Sequence, residues 1–169
     1  MQIVLALDKF KGTLTALEAC ACVQEGLTKA FGKEAQFSAC PIADGGEGTV
    51  DALAARLPGE RHQVAVENAI GSKKVLASYL LDRSDGVNTA FLELASASGL
   101  ALLEERERDP LRATTFGTGQ LMQAALDRGA KTLVIGLGGS ATNDGGTGLA
   151  RFFGYRFLDG EAKLVPFPV

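Results

Sequence analysis

The chain has 169 residues, a formal charge of −3, 46% hydrophobic and 22% charged residues. That length holds one domain or parts of two, and the composition is that of an ordinary globular protein. The acidic balance, the absence of tryptophan and the 7% aromatic content argue against a nucleic-acid surface built on basic charge or base stacking. Three cysteines, Cys20, Cys22 and Cys40, form no disulfide framework and suit a reducing compartment. Cys20 and Cys22 lie two apart on a predicted helix and so face different ways, which favours small core residues over a metal pair. The N-terminus is too short and uncharged for a signal peptide, and no apolar run is long enough to span a bilayer, so a cytoplasmic protein without a membrane partner is expected.

Residues 3–7 are nearly all apolar, as in a strand covered on both faces of a parallel sheet. A polar turn at residues 9–13 follows. Thr15 and Glu18 then have the spacing of a capping box. Leu17, Cys20, Ala21, Leu27 and Phe31 recur at helical spacing, with Gly32 as the stop. Residues 36–42 read as a second strand ending at Pro41. A glycine loop, residues 43–48, opens a helix marked by Val50, Leu53, Ala54 and Leu57, and Pro58-Gly59 ends it. Alternating stretches at residues 62–66, 74–81 and 89–94 predict sheet strands, joined by turns such as Ser84-Asp85-Gly86. A change of domain is expected here, giving residues 1–64 and 65–169. Residues 104–109 read as a solvated connection. Residues 114–119 precede a helix that Gly129 caps, and residues 132–135 form another strand. A second glycine loop, residues 136–146, comes next. Phe152 and Phe153 close a short helix, and residues 155–158 suggest one more strand. The tail, residues 165–169, carries no stop signal. Strands alternating with helices argue for an α/β fold.

The two glycine loops carry acid. One is Asp44-Gly45-Gly46-Glu47-Gly48; the other runs Gly136-Leu137-Gly138-Gly139-Ser140-Ala141-Thr142-Asn143-Asp144. Glycine lets backbone N–H groups approach a partner closely, and helix starts favour anions. Acidic neighbours would repel a bare anion, which points to a metal ion or to substrate hydroxyls beside it. Asp8-Lys9-Phe10-Lys11 lies at a strand's carboxyl end, where ligands sit in open α/β sheets. Asp8 can hold a metal or accept a hydroxyl proton, and Lys11 can neutralise phosphoryl charge. The plain alternatives are a turn aspartate with solvated lysines, and ordinary helix caps in both loops. Ser140, Thr142 and Asn143 offer oxygens to hydroxyls or a carboxylate, and Asp144 suits Mg²⁺. Gly136-x-Gly138-x-x-Ala141 also matches a dinucleotide fingerprint, with Asp159 as its ribose acid, although glycines 145, 146 and 148 would fall in the following helix. Neither loop contains a Walker A lysine. The sole histidine, His62, lies away from both, which disfavours a histidine-dependent serine hydrolase.

These stretches, with Thr114-Thr115-Phe116-Gly117-Thr118-Gly119 between them, closely resemble the bacterial glycerate kinase family of the glycerate 2-kinase type. Four motifs match in order across nearly the whole chain. The resemblance implies a two-domain α/β protein, one domain flavodoxin-like and one restriction-enzyme-like, of which only the N-terminal part is present. It implies ATP-dependent phosphorylation of D-glycerate to 2-phosphoglycerate with Mg²⁺. By motif, Asp8, Lys11 and Asp44 become the catalytic candidates, with Asp8 or Asp44 near the glycerate hydroxyl. Gly45, Gly46, Glu47, Gly48, Gly138, Gly139, Ser140, Thr142 and Asn143 become substrate or phosphate binders, and Asp144 the metal ligand. Leu7 and Lys9 stand where the family usually has Pro and Ser. Family members are roughly twice this length, so pairing with a remaining C-terminal half, or with a second copy, is implied. A non-catalytic organic-acid or phosphate-binding module and a dinucleotide-binding dehydrogenase domain are the competing readings.

Overall fold

The computed structural model describes residues 1–84 and 86–166. Two sheets organise it. β1 (Gln2–Leu5) and β2 (Gln36–Ala39) form a two-stranded parallel sheet linked by α1 (Ala16–Phe31). β3 (Glu60–Glu67), β4 (Lys74–Asp82), β5 (Thr89–Glu93) and β6 (Thr132–Gly136) form the larger sheet in that order. Its first three strands are antiparallel neighbours, and β6 lies parallel to β5. α2 (Thr49–Ala54) joins the sheets. α3 (Ala95–Ser98) and α4 (Phe116–Asp127) fill the β5–β6 crossover, and α5 (Thr147–Phe152) follows β6. The α/β alternation read from the sequence is therefore present, with a mixed rather than purely parallel main sheet. The boundary expected after residue 64 falls inside β3; the sheets change between α2 and β3.

The main core forms where Val66, Ala77, Tyr79, Leu81, Ala90 and Leu92 meet Leu121 and Ala125 of α4. These strand residues share a face by alternation. Leu80 and Glu93 lie on the opposite side, which α2 approaches. Close contact against α4 requires glycine: a β-carbon at Gly117 would fall 1.9 Å from the Glu67 carbonyl oxygen. The stretch Phe116-Gly117-Thr118-Gly119 accordingly lies inside α4 rather than ahead of it.

Several local expectations change. β1 is shorter than residues 3–7 and is not covered on both faces. Leu5 is buried under α1, whereas Val4 is 66% exposed; β2 and α1 make the main contacts with this strand. The capping box at Thr15 and Glu18 forms as expected. The helix it starts, however, buries Ala16, Ala19 and Cys20, while Leu17 and Phe31 are exposed. Small residues let α1 lie close to its two strands, and the Cys20 thiol donates to the Leu5 carbonyl at 3.4 Å. Cys22 faces out, and all three cysteines are free. Residues 155–158 form no named strand; Leu158 makes an isolated bridge with Leu164. Asp85 of the turn expected at residues 84–86, and tail residues 167–169, lie outside the described residues. Among the described residues, no helix is long and apolar enough to cross a membrane.

Gly117→Ala should cost about 1–3 kcal/mol through overpacking against β3. A lowered urea midpoint with an unchanged slope is the expected result.

Candidate functional site

The first motif leaves β1 and turns back on itself before α1. Phe10 and Leu14 pair across a tight hairpin, with Phe10 N–H donating to Leu14 at 2.9 Å and Leu14 N–H to Phe10 at 3.1 Å. Gly12, at φ +77°, makes the reversal, and Lys11 is exposed beside it. Asp8 sits at the strand end, where its Oδ1 accepts the Lys9 backbone N–H at 2.7 Å.

The second motif is pinned to the first by charge. Lys9 Nζ donates to Asp44 Oδ1 at 2.9 Å, and the same oxygen accepts the Gly46 N–H at 2.9 Å. The hydrogen bond from Lys9, helped by the one from Gly46, holds the Asp44 carboxyl below the usual carboxylate range. The Asp44 hydrogen bond raises the Lys9 ammonium above its ordinary value against the effect of burial, and Asp8 and Glu47 add to the rise.

The third motif crosses the second backbone on backbone. Gly138 N–H donates to the Gly45 carbonyl at 3.1 Å. A β-carbon at Gly136 would lie 2.3 Å from the Gly45 oxygen, one at Gly138 2.6 Å from the Gly46 nitrogen, and one at Gly139 2.7 Å from Glu47 Oε1. The glycines of each loop thus admit the other loop. That is the close approach their number demanded, and it needs no ligand.

Two carboxylates anchor the crossing. Glu93, only 7% exposed at the end of β5, accepts the Val50 N–H of α2 at 2.6 Å, while its neighbour Leu94 N–H bonds to Gly136. Burial pushes the Glu93 carboxyl up, and nearby Asp51 and Glu47 push the same way against the Val50 hydrogen bond. Asp144 Oδ2 accepts from the Thr115 N–H and hydroxyl, both at 2.8 Å, from Gly148 N–H at 3.0 Å and from the Thr114 hydroxyl at 3.4 Å; Oδ1 accepts from Gly146 N–H at 3.1 Å. Burial raises the Asp144 carboxyl, but these donors outweigh it and hold it below the usual range.

A cleft of about 380 Å³ opens at the carboxyl end of β1, lined by Asp8, Lys9, Lys11, Glu47, Gly48 and Asp51 among others. In this setting the comparisons are informative. Residues 3–168 match the model of the glycerate kinase family. The chain belongs to the glycerate kinase family. It is 42% identical over 167 residues to glycerate 2-kinase of Escherichia coli K12, covering 99% of this chain and 43% of that one. It is 44% identical over 165 residues to glycerate kinase of Bacillus subtilis 168, covering 98% and 42%. The crystal structure of a candidate glycerate kinase 2 from Salmonella typhimurium LT2 superposes with a TM-score of 0.78 at 41% identity, over 98% of this chain and 43% of that one. The chain therefore spans less than half the length of these relatives.

The family motifs do not all reach the cleft. Asp8, Lys11, Glu47 and Gly48 line it. Asp44 lies beside it, tied to Lys9, and Gly45 and Gly46 are spent on the crossing. Gly138 packs on Gly45 and Gly46, and Gly139 lies against the Glu47 carboxylate; neither is among the cleft-lining residues. Ser140 bonds locally to Thr142, Oγ to Oγ1 at 2.8 Å, Asn143 is exposed nearby, and none of the three lines the cleft. Asp144 lies outside the cleft lining, accepts hydrogen bonds at both oxygens and ties the start of α5 to that of α4. Among the described residues, no group of three or more His, Cys, Asp or Glu side chains is arranged to hold a metal ion. The dinucleotide reading fails on geometry: no helix opens after Ala141, and the six-residue α5 starts only at Thr147. Sequence reasoning missed Lys9 and Glu93. Lys9 was visible as an extra charge in the first motif, whereas Glu93 looked like one more strand residue.

Because folding raises the Glu93 value, its contribution is greatest below the ordinary glutamate value and is lost as pH rises through the folded one. Glu93→Gln keeps an acceptor for Val50 and removes that dependence. Its melting temperature relative to the unaltered protein should rise from about pH 4 to about pH 8.

Proposed function

We propose that the protein to which this chain contributes is an ATP-dependent kinase that phosphorylates the 2-hydroxyl of D-glycerate. The observation carrying this reading is the cleft at the end of β1, where the segment after that strand and the first glycine loop supply Asp8, Lys11 and Glu47 to the same space. Family membership and the name of the Escherichia coli relative support it. The chain acts as the N-terminal part of that enzyme, with further protein completing the cleft. Its three free thiols suit the cytoplasm.

Phosphoryl transfer needs positioning and charge neutralisation more than covalent chemistry. Asp8 accepts a hydrogen bond from the acceptor hydroxyl and takes its proton as the new O–P bond forms and the bond to the departing ADP oxygen breaks. Asp44 is a poor base, since Lys9 stabilises its ionised form. Lys11 rides on the hairpin tip and neutralises the moving phosphoryl group. Mg²⁺ is commonly held by one or two carboxylates and the substrate's phosphates, and Glu47 in the cleft fits that need; the ion would screen phosphate charge. Asp144 lies outside the cleft lining. The backbone of the crossed loops fixes Glu47 at the cleft wall, and the third loop braces the second rather than binding phosphate itself.

A coupled ADP-release assay on the full-length protein, with D-glycerate and Mg-ATP, tests the reading, and phosphorus NMR of the product separates 2- from 3-phosphoglycerate. Glycerate-dependent ADP and the 2-phosphate are expected; no ADP release removes the assignment. Lys11→Ala should lower kcat at least tenfold, a barrier change on the order of 1.4 kcal/mol. An unchanged kcat removes Lys11 from the catalytic set.

A further inference from the structure

The cleft presents an electrostatic problem that Lys11 alone does not solve. Its lining carries four carboxylates, Asp8, Glu18, Glu47 and Asp51, and two ammonium groups, Lys9 and Lys11. A hydroxy acid entering with its own carboxylate meets net negative charge, so it needs a fixed cation near where it binds. Lys11 is exposed on a hairpin tip, whereas Lys9 is held. The Lys9 side chain is 17% exposed, and its ammonium is bonded to Asp44, which is itself bonded to Gly46. An ammonium has three N–H donors, and Asp44 takes one.

Position along the chain supplies the second argument. In a 2-hydroxy acid the hydroxyl and the carboxylate sit on adjacent carbons. The groups that meet them must therefore be close neighbours in the protein. Asp8 and Lys9 are consecutive, and the Lys9 N–H donates to Asp8 Oδ1 at 2.7 Å, so their backbones and the Asp8 side chain are locked together. One strand end thereby presents a proton acceptor and a cation side by side.

We propose that Lys9 binds the carboxylate of the hydroxy-acid acceptor, with its salt bridge to Asp44 holding the ammonium in place. This inference rests on the kinase reading above. It makes Asp44 a positioning residue acting through Lys9, and it divides the two lysines: Lys9 for the acceptor and Lys11 for the phosphoryl group. It also gives the cleft a preference for acids over the corresponding polyols.

The test is a double-mutant cycle on the full-length protein, reading KM for glycerate and for ATP separately. Lys9→Met should raise the glycerate KM at least about tenfold and leave the ATP KM within about threefold. In an Asp44→Asn background Lys9→Met should still raise the glycerate KM, though by a smaller factor, because the ammonium there is less firmly held but still meets substrate. If Lys9 serves only to neutralise Asp44, the effect vanishes in that background and the proposal is overturned. An unchanged glycerate KM, or a rise confined to ATP, overturns it too. Thermal melting checks that the variants fold, and Lys9→Gln replaces Lys9→Met if the apolar side chain is not tolerated. On the unaltered protein, glycerol, which lacks the carboxylate, should bind at least about tenfold more weakly than glycerate by calorimetry; equal binding also overturns the proposal. Failure of the unaltered protein to phosphorylate glycerate is a different result, since it removes the kinase reading before Lys9 is reached.

Discussion

Two glycine-rich loops cross with their backbones in contact, and the cleft owes its shape to that crossing. Gly138 donates to Gly45, and hypothetical β-carbons at Gly136 and Gly138 would overlap the other loop. A backbone-to-backbone contact leaves no room for side chains, so both loops must be glycine-rich for the same reason. The contact also joins two regions distant in sequence. One loop follows the small sheet and opens α2, and the other follows the last strand of the large sheet. The distance between their strand ends is set by the thickness of bare peptide, which then fixes Glu47 against the cleft.

Charge is sorted around this crossing by burial and by hydrogen-bond supply. Asp144 gathers donors from two helix starts and becomes a strut between them. Glu93 gathers one backbone donor in a drier place and is pushed the other way. Asp44 takes the Lys9 ammonium and stays ionised near solvent, at 51% exposure. The three carboxylates are chemically alike, yet their surroundings commit each to a different task. Asp8 and Glu47 remain on the cleft wall.

Much of the fold was legible in the sequence because periodicity and capping are local signals. The Thr15–Glu18 box, the α/β alternation and the strand at residues 132–135 needed only neighbouring residues to be read. What failed depended on partners distant in the chain. The apolar stripe through Leu17 and Phe31 looked like a buried face, but the small residues Ala16, Ala19 and Cys20 are the ones that meet the strands. Gly117 and Gly119 looked like a loop because glycine disfavours helix interiors; their place in α4 follows from the proximity of β3 and α5. The site was legible by composition and less so by role. Acid beside glycine suggested a ligand for every residue, and only the coordinates separate Asp8 and Glu47, which face the cleft, from Asp144, which holds helices together.

The glycine crossing bears on how other members of the family are to be judged. A protein that had drifted to some non-catalytic duty would still need Gly136, Gly138 and Gly139 for its loops to cross, and would still need Asp144 to bind its two helix starts. Their presence in a chain therefore testifies to architecture, and a search tuned to them gathers working and silent descendants alike. The segment after the first strand is built differently: Asp8 accepts the neighbouring Lys9 N–H and Lys11 stands exposed, so changes there leave the crossing intact.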